Sequence, residues 1–316
     1  MGHTALMLSA LATSAVPGFQ AVSAQNLSSA EKDIALVYDV NHAAWLVELP
    51  TSAQAETIHL DSLSALRALS EGLRSRLSFQ VPMLAATTEV GAYTLSVSTY
   101  LPGQARGPQK VSPVLAASIG HALAEIHQLP TSTLQDHGRP TESALDSVRE
   151  CVGIVDRAAA SGLLPQALLR RWETACEDAG LWQFEPTVIH GLMQLGHILV
   201  EGDSVVAVDQ WRDFRVGDPA RDMAWLTTPG SAPFAATVHT TYRSARAQAD
   251  RWIMQRARFY AELDIAKWLL HGLDIANDTI TQDATAMLSA LHDRVSGDMD
   301  QALTQPISQA KHPLEN

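Results

Sequence analysis

Cysteine is almost absent from the chain. Cys151 and Cys176 are its only two cysteines, which excludes a framework of several disulfides. The cysteines and histidines also lack the short spacing that is typical of a zinc site. Two isolated cysteines are usual in a reducing compartment, so the sequence predicts a cytoplasmic protein.

Positive charge is scarce as well. The 316 residues include 22 lysines and arginines against 34 aspartates and glutamates, which gives a net charge of −12 at pH 7 with neutral histidines. Nucleic acids and anionic membranes bind surfaces that are rich in lysine and arginine. The composition therefore predicts neither nucleic acid nor membrane as a partner.

Long apolar runs are missing too, since no segment approaches the roughly 18 consecutive apolar residues that a membrane span needs. The apolar stretch 5–19 precedes small residues at 21–24, as it does in a cleavable signal peptide. However, residues 1–4 contain no lysine or arginine, and Pro17-Gly18 interrupts the stretch. We predict an opening helix followed by a turn, not a signal peptide.

The remaining composition is that of a globular protein, with 46% hydrophobic and 18% charged residues. The length allows a large core and two lobes. In the first hundred residues, apolar spacing predicts the opening helix, a hairpin at 34–50, a helix at 60–77, and strands at 82–86 and 93–100. Helices dominate after Ser112 and are predicted at 112–130, 145–161, 165–179, 235–247, 251–270 and 279–303, with a polar linker at 131–143 and a frayed tail at 305–316.

The segment 188–226 carries the most information. It contains His190-Gly191, then Gly196, and later the run Gly217-Asp218-Pro219-Ala220 with Asp222. It resembles the catalytic segment of the aminoglycoside and macrolide phosphotransferases, where V-x-H-G-D-L-H-x-G-N-I-L-V precedes V-I-D-W and G-D-P-A-x-D. The stretch GHALAEIHQLP at 120–130 resembles the G-x-A-L-A-x-L-H-x-L-P of the same family.

This resemblance implies an α+β, two-lobed, protein-kinase-like fold, with a small β-containing N-lobe at 1–100 and a larger helical C-lobe at 101–316. It implies ATP or GTP as the phosphate donor, Mg²⁺ as the metal and a small molecule as the acceptor. Tyr100 and Leu101 match the hinge between the lobes, where the nucleotide base would bind. Asp222 matches the acid that holds the backbone of the catalytic loop in this fold.

Three residues of the segment depart from the family pattern, although His190, which the resemblance assigns to the catalytic site, is kept. Leu192 stands in place of the catalytic aspartate, His197 in place of a metal-binding asparagine and Gln210 in place of a metal-binding aspartate. Leucine cannot accept a proton, and loss of a general base alone costs roughly 10²–10⁴-fold in rate. Gln210 offers a neutral oxygen to a metal that prefers carboxylates. His197 resembles the macrolide branch, where a hydrogen-bonding role is expected; a metal-ligand role is the alternative.

Glu48 is a fourth departure, because the resemblance implies a basic residue here on the third strand, paired with the nucleotide phosphates. An anion about 4 Å from a phosphate would be repelled by roughly 4 kcal/mol at an effective dielectric near 20. Asp213 is the better candidate for supplying a missing metal ligand. Asp209 is the weaker one, because alternation along the strand is expected to turn it away from the site of Gln210.

Together these departures favour a degenerate family member, a pseudokinase that binds a nucleotide, a small molecule or a protein partner. An active phosphotransferase with relocated catalytic residues, using Asp209 or Asp213 with His197, is the first alternative. The second alternative is a scaffold that binds no small molecule because Leu192 and Met193 fill its cleft.

Overall fold

A five-stranded antiparallel sheet organises the N-terminal lobe. The computed structural model describes residues 3–246, 248, 250–296 and 303. The strand order is β1-β2-β3-β5-β4. The elements of this lobe are α1 (Ala5–Ala15), β1 (Ala21–Asn26), β2 (Lys32–Asp39), β3 (Ala44–Pro50), α2 (Ala53–Ala68), α3 (Glu71–Arg74), β4 (Leu84–Val90) and β5 (Tyr93–Thr99).

The two faces of this sheet have different neighbours. One face packs against α1 and forms a small hydrophobic core that contains Leu8, Ala12, Ala35, Val37, Val47, Leu49, Leu95 and Val97. Because successive strand residues point to opposite faces, Lys32 and Glu48 belong to the other face, where both line the space between the lobes. In β3, therefore, the side chain of Val47 lies in the core and that of Glu48 faces the cleft.

A short connection leads from β5 through Tyr100 and Leu101 into the second lobe. Two small sheets follow, built from β6 (Gln104–Ala105), β7 (Thr187–Ile189), β8 (Ile198–Glu201), β9 (Ser204–Val208) and β10 (Arg215–Gly217). Strands β6, β8 and β9 form one sheet, and β7 pairs with β10 in the other. The loop 190–197 connects β7 to β8, and the loop 209–214 connects β9 to β10. The strands therefore fix both ends of each loop.

Helices make up most of the C-lobe. They are α4 (Pro113–His127), α5 (Thr131–Asp136), α6 (Ala144–Ala160), α7 (Gln166–Glu177), α8 (Ala232–Ala245), α9 (Ile253–Asp274) and α10 (Asp278–Ser296). A buried ion pair ties α9 to the end of β10, since Arg256 donates to both carboxylate oxygens of Asp218 at 2.6 and 3.0 Å. Tyr260 donates to the same carboxylate at 2.9 Å, so this buried charge is fully paired.

The predicted α+β, two-lobed, kinase-like architecture is confirmed, but several local predictions were wrong. The single helix predicted at 60–77 is two helices, because α2 ends at Ala68 and α3 follows. Helix α2 also begins earlier, at Ala53, where Ser52 accepts a hydrogen bond from the N–H of Ala55 at 3.2 Å. The predicted linker 131–143 contains α5. Strand β1 was not predicted, because its small and polar residues carry no apolar alternation.

Two features of the C-terminal part of the chain remain. The segment that Asp218-Pro219 opens is a 3₁₀ helix, Pro219–Thr227. The predicted tail at 305–316 lies outside the described residues. No helix in the described part of the chain is long and apolar enough to cross a membrane.

Candidate functional site

Asp222 holds the loop 190–197 by its backbone. One carboxylate oxygen accepts the N–H of His190 and the other accepts the N–H of Gly191, each at 2.7 Å. His127 donates to the same carboxylate at 3.1 Å. Burial opposes ionisation of Asp222, but the hydrogen bond from His127 and those from the backbone outweigh it and keep its pKa below the usual value. The acid that the resemblance assigned to this role does occupy it.

His190 lies at the base of this loop and is fully buried. Its Nδ1 accepts the N–H of Leu192 at 3.3 Å, so Nε2 carries the proton and donates to the carbonyl oxygen of Asp209 at 2.8 Å. Burial lowers its pKa, which favours this neutral form. His190 therefore links the two loops and uses both ring nitrogens for that purpose.

His197 closes the same loop from its other end. Its Nδ1 donates to the carbonyl oxygen of Leu192 at 2.8 Å, and its Nε2 lies 2.6 Å from the amide nitrogen of Gln194. With Nδ1 protonated, Nε2 is the acceptor in that second contact. Burial lowers the pKa of His197 as well. The imidazole lone pair is thus already in use, which supports the hydrogen-bonding role over the metal-ligand role.

A cleft of about 430 Å³ separates the two lobes. Its upper wall comes from β2, β3, α2 and β5, and its lower wall from β8 and the loop 209–214. The residues that line it are Lys32, Leu46, Glu48, Ser62, Leu66, Pro82, Ser98, Thr99, Tyr100, Leu101, Gly103, Gln104, Ala105, Leu199, Asp209, Gln210, Trp211 and Arg212. The predicted hinge residues Tyr100 and Leu101 are among them, and so is Glu48.

Asp209 and Gln210 both line this cleft, contrary to the expectation that Asp209 faces away from it. Strand β9 ends at Val208, and Gln210 adopts a left-handed conformation with φ of +66°. Alternation holds only in extended backbone, so it does not extend to these two residues. The Asp209 carboxylate accepts the N–H of Gln210 at 2.7 Å.

Glu48 does face the cleft, but not as the isolated anion that its position suggested. Lys32, at the start of β2, places its Nζ 3.0 Å from the Glu48 carboxylate. The backbone of Lys32 is fixed by Ser29, whose N–H donates to the Lys32 carbonyl at 2.8 Å. Lys32 was not predicted from the sequence, although one signal was present. It lies two residues before Ile34, which is opposite Glu48 in the sheet, so both side chains belong to the same face.

Asp213 lies against the loop 190–197. Gly191 has a φ of +84°, and a Cβ built on it would lie 2.7 Å from Cβ of Asp213. The neighbouring backbone is held by Arg139, which donates to the carbonyl oxygens of Arg212 and Phe214 at 2.8 Å each. Asp213 itself is 3.9 Å from Arg215. Among the described residues that line the cleft, Asp209 and Gln210 are present, whereas Asp213, His197 and Leu192 are not.

Comparison with known proteins agrees with this arrangement. The model of the phosphotransferase enzyme family matches residues 26–260. The chain belongs to this family. A search of curated protein sequences gives no match, so the remaining similarities are to solved structures.

Solved family members share the fold over nearly the whole chain. A macrolide 2′-phosphotransferase type I has a TM-score of 0.72 at 22% identity, covering 91% of this chain and 98% of its own. The apoenzyme of a macrolide 2′-phosphotransferase from Brachybacterium faecium has a TM-score of 0.74 at 19% identity, with 90% and 97% covered. The GDP and kanamycin complex of APH(2″)-IIIa has 0.71 at 17%, with 89% and 96% covered.

The side chains present do not fit the two-sided magnesium site that the family resemblance implies. That site takes one ligand from position 197 and one from position 210, whereas His197 is fully engaged within its own loop. The remaining donors, Asp209 and Gln210, are adjacent on one loop and bonded to each other. Within the described residues, no group of three His, Cys, Asp or Glu is arranged to hold a metal.

Proposed function

We propose that the interlobe cleft binds a nucleotide and that the protein is a pseudokinase of the phosphotransferase family. The cleft volume of about 430 Å³ falls within the range of small-molecule sites, roughly 300–1,000 Å³. Leu46, Leu101 and Leu199 supply apolar wall for a base, and Lys32 and Arg212 supply positive charge for phosphates. This division suits a ligand with one flat apolar end and one anionic end.

The observation that carries the proposal of lost catalysis is the leucine at position 192, where the family has its catalytic aspartate. Asp222 anchors His190 and Gly191, and His197 anchors the carbonyl of Leu192, so the loop is held on both sides of this residue. At the catalytic position this fixed loop presents an alkyl side chain. An acceptor hydroxyl would meet no base there, and phosphoryl transfer depends on positioning and charge at that point.

The cleft itself supports binding over an empty scaffold role. Met193, which the scaffold alternative places in the cleft together with Leu192, is 6% exposed and packs in the main hydrophobic core. The space between the lobes is correspondingly open. Protein partners, in this proposal, are secondary to a small-molecule ligand.

An active small-molecule phosphotransferase is the second candidate, and the position of Asp213 favours it. The close approach of Gly191 to Asp213 places a carboxylate next to the loop that lacks one. In that case Asp213 would assist the acceptor hydroxyl, and the acceptor would belong to the macrolide or aminoglycoside class that the structural relatives are named for.

Transfer of labelled γ-phosphate from ATP and GTP to a macrolide and aminoglycoside panel separates the two candidates. The pseudokinase proposal expects no transfer by the native protein, and transfer by the double variant Leu192→Asp with Gln210→Asp. Transfer by the native protein that is lost in Asp213→Asn would instead establish the active enzyme. Leu163→Asp, on the exposed surface, is the matched control for the added charge.

A further inference from the structure

Lys32 is a cation in an unexpected place. It lies on β2, whereas the family resemblance implies a basic residue on β3, at the position of Glu48. Lys32 and Glu48 lie on one face of the sheet and form a 3.0 Å ion pair, and both line the cleft. The two side chains are only about one-fifth exposed, at 21% and 20%, so their charges are partly desolvated. The charge of the missing basic residue is therefore present in the cleft, displaced by one strand.

Arg212 brings a second cation to the same cavity from the opposite lobe. Its backbone is fixed because Arg139 donates to its carbonyl oxygen at 2.8 Å. The loop that carries Arg212 also packs against α2 of the N-lobe. Lys32 from above and Arg212 from below thus line one cavity that the two lobes share.

We propose that Lys32 and Arg212 form an anion site for the phosphates of the nucleotide, and that they supply there the positive charge for which the family uses a β3 cation and a metal. This inference rests on the proposed function, because it names the residues that hold the phosphate end of that ligand. It follows that nucleotide binding does not require Mg²⁺. A polyphosphate carries several negative charges and competes for Lys32 against the single charge of Glu48.

His59 on α2 is a candidate hydrogen-bond donor to Glu48 when phosphate engages Lys32. It is 1% exposed, and in the described structure neither of its ring nitrogens has a hydrogen-bond partner. Buried polar groups are normally paired. His59 is an exception, and its ring N–H remains available as a donor. Burial lowers the pKa of His59, and the charges of Lys32 and Glu48 also act on it. Because α2 packs against β3, an unused donor lies on the helix next to the strand that carries Glu48.

Calorimetric titration in EDTA with adenosine, guanosine, ATP and GTP tests the site by binding alone. The native protein is expected to bind one triphosphate more tightly than its nucleoside. Lys32→Met, which keeps the alkyl stem, should weaken triphosphate binding by roughly tenfold to a hundredfold, the value of a charge-assisted hydrogen bond, and leave nucleoside binding unchanged. Arg212→Met should also weaken triphosphate binding, and Glu48→Gln should strengthen it.

Lys110→Met, at an exposed lysine, is the matched control and should leave triphosphate binding unchanged. Thermal melts establish that each variant is folded.

The failures of the two proposals are distinguishable. Equal affinity for nucleoside and triphosphate, or a triphosphate advantage that survives in Lys32→Met, overturns the anion site and leaves nucleotide binding standing. A triphosphate that binds only when Mg²⁺ is added also overturns it. If no nucleoside or nucleotide binds under either condition, the proposed function itself fails.

Discussion

The imidazole of His127 donates a hydrogen bond to the carboxylate of Asp222 at 3.1 Å, and both side chains have no exposed surface. The other hydrogen bonds to this carboxylate come from the backbone N–H groups of His190 and Gly191. This arrangement holds the loop through backbone groups and does not use the side chains of Leu192 and His197. The loop can consequently keep its geometry while Leu192 and His197 differ from the family pattern.

Replacing Asp222 should therefore cost stability whether or not the protein has activity. Asp222→Ala leaves buried donors from His127, His190 and Gly191 without an acceptor, and we expect the free energy of unfolding to fall by about 3–5 kcal/mol. Urea denaturation followed by circular dichroism measures the loss. Asp264→Ala, at a largely exposed side chain, is the control and should stay within about 0.5 kcal/mol of the native protein. A small effect of Asp222→Ala would mean that the loop is held by other contacts.

Gly191 offers a test of the contact between the two loops. Its φ of +84° disfavours any side chain, and an added Cβ would collide with the backbone and Cβ of Asp213. Gly191→Ala should lower the free energy of unfolding by about 1–3 kcal/mol. Gly196→Ala in the same loop is the control, because a Cβ there meets nothing within 4 Å. Equal stabilities of the two variants in urea would contradict the close approach of Gly191 to Asp213.

The buried histidines predict how stability depends on pH. Burial lowers the pKa of His59, His190 and His197 below the usual histidine value of about 6.5. The unfolded chain then binds more protons than the folded one below that pH, so stability is full above about 6.5 and is lost as the pH falls towards the folded pKa values. Each histidine contributes a slope of at most about 1.4 kcal/mol per pH unit.

Urea melts between pH 5 and pH 8 check this slope. His197→Asn should make it shallower, because asparagine can keep a hydrogen bond to the Leu192 carbonyl without titrating in this range. His121→Asn, at an exposed histidine on α4, is the control and should leave the slope as it is. A native protein whose stability is constant from pH 7.5 to 5.5 would rule out the assignment of neutral buried imidazoles.

Regular periodicity made much of the fold predictable from sequence. The stripe of Leu115, Ile119, Leu123 and Ile126 predicted α4, and Ser112 with Pro113 predicted its start, where Ser112 indeed accepts the N–H of Leu115 at 3.1 Å. Strand β1 escaped prediction because its stability comes from pairing with β2 and not from its own apolar pattern. Tertiary pairing of this kind leaves no local signal.

The candidate site was less predictable, and the reasons are physical. Asp209 was placed on the wrong side because the extended backbone ends at Val208 and Gln210 turns left-handed, which a strand pattern cannot reveal. Lys32 was missed because its partner Glu48 lies on the neighbouring strand, 16 positions along the chain. The position of Asp222 was inferred correctly, since it belongs to a continuous sequence motif.

The central claim is that the cleft binds a nucleotide through protein charges and does not transfer its phosphate. Calorimetric titration of the native protein with ATP and GTP, once with Mg²⁺ and once with EDTA, tests it most directly, with nucleotide hydrolysis followed in the same samples. We predict saturable binding of at least one nucleotide with similar affinity in both conditions, and no release of phosphate. Binding that needs Mg²⁺ and is accompanied by turnover, or no binding in either condition, would contradict the account.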